Sequence, residues 1–155
     1  FANFKVVWKR MSNDIFAAVV SMVRTPYGYK KVIPLDTTSF FATDNELEAH
    51  YLCSIINSKQ VRDFIKSFSS AGRGFGAPSV MDHIGIPKFN PKNPTHKRLA
   101  EISKECHRLK EEYYKLKVEG NSEEIEKLER EIEKLEREND ELVKQLFEKL
   151  SHERK

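Results

Sequence analysis

From Thr95 onward, apolar positions recur with a strict helical rhythm. Leu99, Ile102, Cys106, Leu109, Tyr113 and Leu116 are spaced 3, 4, 3, 4, 3. After Gly120-Asn121-Ser122 the pattern restarts with Ile125, Leu128, Ile132, Leu135, Asn139, Leu142 and Leu146, spaced 3, 4, 3, 4, 3, 4. Both are heptad seams and predict two long helices. Gly120 suits a helix C-terminus, and Asn121 suits an N-cap with Glu124 three residues on. So short a connection predicts an antiparallel coiled-coil hairpin over residues 94–155. The second helix is expected to be the longer, about 46 Å against about 36 Å at 1.5 Å per residue. Its overhanging end leaves Val143, Leu146, Phe147 and Leu150 in need of cover, from the body of the domain, a second copy or another subunit. Asn139 stands at a core heptad position, where it fixes register or partner number. Asn139, Val143, Leu146, Phe147 and Leu150 are therefore expected to form an oligomer or partner interface, with a homodimer through the coiled coil as one form.

Before Thr95 the pattern is of another kind. Phe4–Lys9 and Ile15–Val20 read as strands, the second the more buried, with a turn between them. Val32–Leu35 and Thr37–Phe41 read as further extended segments, with Pro34 at an edge or bulge. Thr43-Asp44-Asn45-Glu46 has the spacing of a capping box, which opens a helix carrying Leu47, Tyr51, Ile55 and Ile56 on one face. Asn57-Ser58 breaks it. Ser58 caps a second helix with an apolar stripe of Val61, Phe64, Ile65 and Phe68. Pro78–Ile84 reads as a single helical turn, Gly85–Phe89 as a closing strand, and residues 90–94 as a proline-marked linker. The fold class is α+β: a small, twisted, mainly antiparallel sheet with packed helices over residues 1–93, followed by the hairpin.

The chain has 155 residues and a net charge of +3, which hides an asymmetry. Residues 1–98 carry 14 Lys/Arg against 7 Asp/Glu, or +7, and residues 99–155 carry 13 against 17, or −4. A basic globular part suits a polyanionic partner. No apolar run reaches membrane-spanning length, and no signal peptide is visible, so no membrane partner is expected. Cys53 and Cys106 lie far apart within predicted helices. They read as reduced core residues, and so as a cytoplasmic protein. His83 has no metal-ligand partner at a suitable spacing. Because the sequence begins at Phe1 rather than Met, it reads as a piece of a longer protein or a processed chain.

One stretch fits neither core nor solvated helix. Ser69-Ser70-Ala71-Gly72-Arg73-Gly74-Phe75-Gly76 alternates glycines with a guanidinium and an aromatic ring. Glycines let a ligand approach the main chain. Arg73 offers a bidentate fork for phosphate or guanine, and Phe75 offers a stacking face. No strand precedes the stretch, so it is not a dinucleotide-binding fingerprint.

Ile56-Asn57-Ser58, then this loop, then Ile86-Pro87 follow the order of motifs in a known family. Over about residues 1–110 the chain resembles the target recognition domain of restriction–modification systems. The likeness is to the TaqI-like C-terminal specificity domain of adenine-specific DNA methyltransferases and to type I specificity subunits. The hairpin fits the helices that follow such domains. A full type I subunit carries two recognition domains and this chain has room for one, so it reads as a half-subunit that dimerises or as the tail of a fused methyltransferase.

The resemblance implies sequence-specific recognition of double-stranded DNA. Its candidate contacts are Lys9, Arg10, Lys66, Ser69, Ser70, Gly72, Arg73, Gly74, Phe75 and Ser79. Arg73 and Lys66 approach guanine edges or phosphates, while Ser69, Ser70 and the loop amides hold phosphate oxygens. No methyltransferase or nuclease motif is present, so catalysis and S-adenosylmethionine are expected in a partner or a further domain. Two other classes stay open: a protein–protein interaction module acting through the hairpin, and a small enzyme that holds a nucleotide in the glycine loop.

Overall fold

The computed structural model describes residues 3–11, 14–21, 23–25, 28–30, 39–70 and 85–153. Strand β1 (Phe4–Met11) lies between β2 (Asp14–Ser21) and β5 (Ser39–Thr43) in an antiparallel sheet. Its pairing with β2 runs from Phe4 opposite Ser21 to Met11 opposite Asp14, and its pairing with β5 from Phe4 opposite Thr43 to Trp8 opposite Ser39. The chain order places the first strand in the centre, so β1, not β2, supplies the fully buried Val6, while Val19 of β2 is half-buried and Ala18 exposed. Two shorter strands, β3 (Val23–Thr25) and β4 (Gly28–Lys30), form a separate antiparallel pair.

Helix α1 (Glu46–Ile56) begins two residues later than the expected capping box. Thr43 is held in β5 opposite Phe4, and Asn45 takes the cap, accepting from the amides of Leu47 at 3.0 Å and Glu48 at 3.3 Å. Asparagine is at least as good a cap as threonine. The Thr43 hydroxyl instead donates to Glu48 at 2.7 Å, which ties the strand end to the first helical turn. Ser58 caps α2 (Lys59–Ser70), as its sequence position predicts: its hydroxyl accepts from Val61 N–H at 3.3 Å and donates to the Ile55 carbonyl at 2.6 Å.

Residues 85–90 pair with no strand among the described residues. The closing strand expected at Gly85–Phe89 is replaced by side-chain anchoring. The Tyr51 hydroxyl donates to the Pro87 carbonyl at 2.7 Å, and the Phe89 ring packs 5.2 Å from that of Tyr51. Gly85 has φ of 73°, which β-strands do not use. The segments expected at Val32–Leu35 and Pro78–Ile84 lie outside the described residues.

Helices α3 (Pro94–Glu119) and α4 (Ser122–Glu153) make the hairpin. Asn93 caps α3, with Pro94 in the first turn, where its missing N–H matters least. Gly120 closes it in the left-handed region at φ 78°, and Asn121 Oδ1 accepts from Glu124 N–H at 3.3 Å to start α4. Leu109 and Leu128 are buried in the seam. Arg98 grips Glu138 through two hydrogen bonds of 2.6 and 2.9 Å, and Lys110 reaches Glu136 at 3.6 Å.

The end of α4 is covered by its own chain. Val143 is fully buried and Leu146 nearly so, in one cluster with Val6, Tyr51, Ile55, Val61 and Leu99; Leu142 and Phe147 pack against it. Asn139 is also buried and donates from Nδ2 to the Ser54 carbonyl at 2.8 Å. The interface expected at Asn139, Val143, Leu146 and Phe147 is thus corrected: these residues face the body of the domain, and Leu150 is half-buried. The reason is geometric. α4 is six residues longer than α3, 32 against 26, and the extra turns reach past α3 to α1 and α2. The base of the hairpin and the sheet share one hydrophobic core.

Candidate nucleic-acid interface

The segments that flank the glycine-rich stretch in the sequence are both anchored. On its N-terminal side stands α2, docked on the core through Val61 and the half-buried Phe64. On the other side Pro87 and Phe89 are held by Tyr51 and His96, whose rings stack 4.7 Å apart. Gly72, Arg73, Gly74, Phe75 and Ser79 lie outside the described residues. Ser69 and Ser70, expected at the head of the loop, belong to the last turn of α2. The sequence leading into that turn, Phe64-Ile65-Lys66-Ser67-Phe68, keeps helical periodicity up to the first small residues. Lys66 is exposed on α2. Lys9 and Arg10 stand within β1, opposite Phe16 and Ile15, because the ladder continues to Met11.

The α2 helix adds cations that the motif reading did not single out. Lys59 is exposed and Arg62 half-buried, at positions three apart. A basic i, i+3, i+7 series ahead of the glycines, Lys59, Arg62 and Lys66, was the signal available for them. Asp140 of α4 accepts from the Lys59 amide at 3.0 Å, which fixes the first turn of α2.

A second constellation, far apart in sequence, holds the sheet to the helices. The outer edge of β2 is closed by side chains. Ala17 N–H donates to Asn57 Oδ1 at 2.8 Å, and Asn57 Nδ2 donates to the Ala17 carbonyl at 2.9 Å. Val19 N–H donates to His107 Nε2 at 3.1 Å. His107 Nδ1 then carries the proton and donates to the Ser103 carbonyl at 2.7 Å. The His50 ring meets that of His107 edge-on at 4.8 Å, and its Nδ1 lies 2.8 Å from Ser103 Oγ. Burial, then the neighbouring His107, pulls His50 down to about 4, with Glu46 opposing and Lys104 adding. Burial also lowers His107 and His96.

Burial pushes the Cys53 thiol up to about 12 and the Cys106 thiol up to about 11, so neither is a ready nucleophile. Both are free thiols. Among the described residues no three His, Cys, Asp or Glu side chains are grouped to hold a metal ion. His83 lies outside the described residues. No helix among them is long and apolar enough to cross a membrane.

No protein-family model, curated protein or solved structure matches the chain.

Proposed function

We propose that this chain recognises double-stranded DNA in a sequence-specific way, as the specificity domain of a restriction–modification methyltransferase. The observation that carries the reading is the charge asymmetry: +7 over residues 1–98 against −4 over residues 99–155, with a glycine–arginine–aromatic stretch inside the basic part. Phosphate contacts position such a domain, and base-edge contacts specify its site. Arg73 is the base reader in this scheme, and Lys9, Arg10 and Lys66 supply backbone attraction. Methyl transfer and S-adenosylmethionine belong to a methyltransferase domain or subunit, and the compartment is the cytoplasm.

The test is a competition assay with a mixed-sequence duplex pool. Arg73→Ala lowers selection of the preferred sequence, because a bidentate arginine–guanine contact is worth about 1–3 kcal/mol of discrimination. Lys117→Ala leaves selection unchanged, since the Lys117 ammonium lies 5.9 Å over the Tyr113 ring on the exposed hairpin. Equal selection by Arg73→Ala and the parent would remove Arg73 as a reader. Absence of duplex binding at low salt would remove the DNA function altogether.

A second reading, an interaction module working through the hairpin, draws on Tyr114 and Val118. They are 65% and 90% exposed near the Gly120 turn, where a solvated coiled coil has no use for them. Duplex binding that weakens steeply with salt favours the first reading over this one.

A further inference from the structure

Arg62 and Arg98 are both half-buried arginines, and they are treated differently. Arg98 has Glu138 across the hairpin and Glu101 one turn on. Among the described residues Arg62 has no carboxylate partner, and none of their ion pairs includes it. Its Nε is shut off from water with no hydrogen-bond partner among the described residues. A partly desolvated guanidinium without a counter-ion is unfavourable, and it is a site that an anion from outside would improve.

The position of Arg62 says which anion. Lys59, Arg62 and Lys66 are spaced three and four along α2 and so share one face. Lys59 and Lys66 are exposed, and Lys59 forms no ion pair among the described residues. Asp63, the single acid of α2, forms no ion pair with Lys59 or Arg62 among the described residues. Lys59 and Arg62 stand about 4.5 Å apart along the helix axis. Charges on one DNA strand rise about 3.4 Å each. Lys59 and Arg62 alone are close enough to meet neighbouring phosphates of one strand.

We infer that the Lys59–Arg62 face of α2 is a phosphate-backbone contact that sets the register of the duplex for the glycine-rich stretch following Ser70. The inference rests on the DNA reading above and adds to it the element that positions the domain. Such a contact is independent of base sequence.

The experiment uses the full chain and a labelled mixed-sequence duplex, titrated across a series of salt concentrations. The variants are Lys59→Gln and Arg62→Gln, with Lys110→Gln as the control, because Lys110 is matched by Glu136 on the hairpin. Each α2 variant is expected to reduce the slope of log K against log salt by about 0.9, the value for one lost phosphate contact, with binding roughly fivefold weaker at 0.15 M salt. The control keeps the parent slope. Lys59 is exposed, so its variant reports even if Arg62→Gln lowers stability; a thermal melt of each variant identifies that case. Parent-like slope and affinity in a folded Lys59→Gln and Arg62→Gln pair would overturn the inference while leaving the DNA function standing. Loss confined to one base sequence would also overturn it. A parent chain that binds no duplex would overturn the DNA reading itself, and this inference with it.

Discussion

The side chain of Asn57 closes on both backbone groups of Ala17, accepting at 2.8 Å and donating at 2.9 Å. An amide side chain here does what a further strand would do for the outer edge of β2. Two residues on, His107 takes the next outward amide, that of Val19. Exposed sheet edges invite pairing with other chains, and these two side chains cover this one. The same contact fixes where α1 ends, because Asn57 is its C-cap.

Asn57→Ala should therefore destabilise the domain by about 1–3 kcal/mol, through loss of its two hydrogen bonds to the half-buried Ala17. Asn57→Asp should be no better. It keeps the acceptor for Ala17 N–H but turns a carboxylate oxygen toward the Ala17 carbonyl. Urea unfolding at pH 7 measures both. An Asn57→Ala midpoint equal to the parent's would show that water replaces the amide at no loss.

Stability should fall on mild acidification. His50, His96 and His107 all have folded-state values below their ordinary 6.5, because burial disfavours the imidazolium. The unfolded chain binds the proton more readily, so acid favours unfolding. The stabilising effect is complete above about pH 6.5 and is lost as the pH falls toward the His50 value of about 4. His107 has a geometric reason as well: its Nε2 accepts from Val19 N–H, and a protonated ring cannot. The charged neighbours are Lys110 beside His107, and Glu46 and Lys104, themselves paired at 3.4 Å, beside His50. The parent should lose on the order of 2 kcal/mol between pH 7 and pH 4.5 from these groups. His50→Gln should flatten that dependence. An unchanged pH profile in His50→Gln would show that other groups carry the acid sensitivity.

Leu146→Ala should act as a core mutation. Leu146 is 7% exposed and packs in the cluster that contains Tyr51 and Ile55. The expected loss is about 2–5 kcal/mol, as for large-to-small changes in other cores. The unfolding midpoint of the parent should not depend on protein concentration if this cluster is completed within one chain. A midpoint that rises with concentration would mean that association contributes to the stability of this end of α4.

The hairpin was legible in the sequence because its signals are local. The heptads place α3 and α4, and Gly120 and Asn121 end one and start the other within a few residues. Ser58 was legible for the same reason. The closing of the β2 edge was not, because Asn57 and His107 lie 40 and 88 residues from their partners. Gly85–Phe89 has a β-prone composition, yet Pro87 has no N–H to pair and its carbonyl is taken by Tyr51. Val143 and Leu146 looked uncovered because a heptad argument compares α4 only with α3, and the covering surface comes from α1 and α2. Of the candidate site, the chemistry of Arg73 and Phe75 was visible as composition. That Arg62 has no ion pair among the described residues was not, since it depends on which carboxylates the fold brings near.

The last prediction concerns Asn139 and separates two polar groups at one position. Its Nδ2 donates to the Ser54 carbonyl at 2.8 Å, while its Oδ1 is buried without a partner among the described residues. The Ser54 carbonyl has no helical donor: α1 ends at Ile56, and Ser58 N–H bonds to the Ile55 carbonyl instead. The Ser54 hydroxyl is engaged elsewhere, on the Leu99 carbonyl at 2.5 Å. Asn139→Leu removes the orphaned oxygen and restores an apolar heptad residue, but leaves the Ser54 carbonyl unsatisfied. Those effects oppose each other at about 1–3 kcal/mol apiece, so the net change should be about 1 kcal/mol or less. Asn139→Ala leaves the same carbonyl unsatisfied and adds a cavity. Asn139→Asp is the most damaging of the three, because it sets a carboxylate against a carbonyl in a buried site and must desolvate or protonate. Urea unfolding at pH 7 should rank stability as Leu, then Ala, then Asp. Asn139→Asp should also recover part of its loss as the pH falls toward 5, because protonation restores a donor for Ser54. If Asn139→Leu proves as damaging as Asn139→Asp, the hydrogen bond to Ser54 outweighs the orphaned oxygen, and Asn139 is there to fasten α4 to the end of α1.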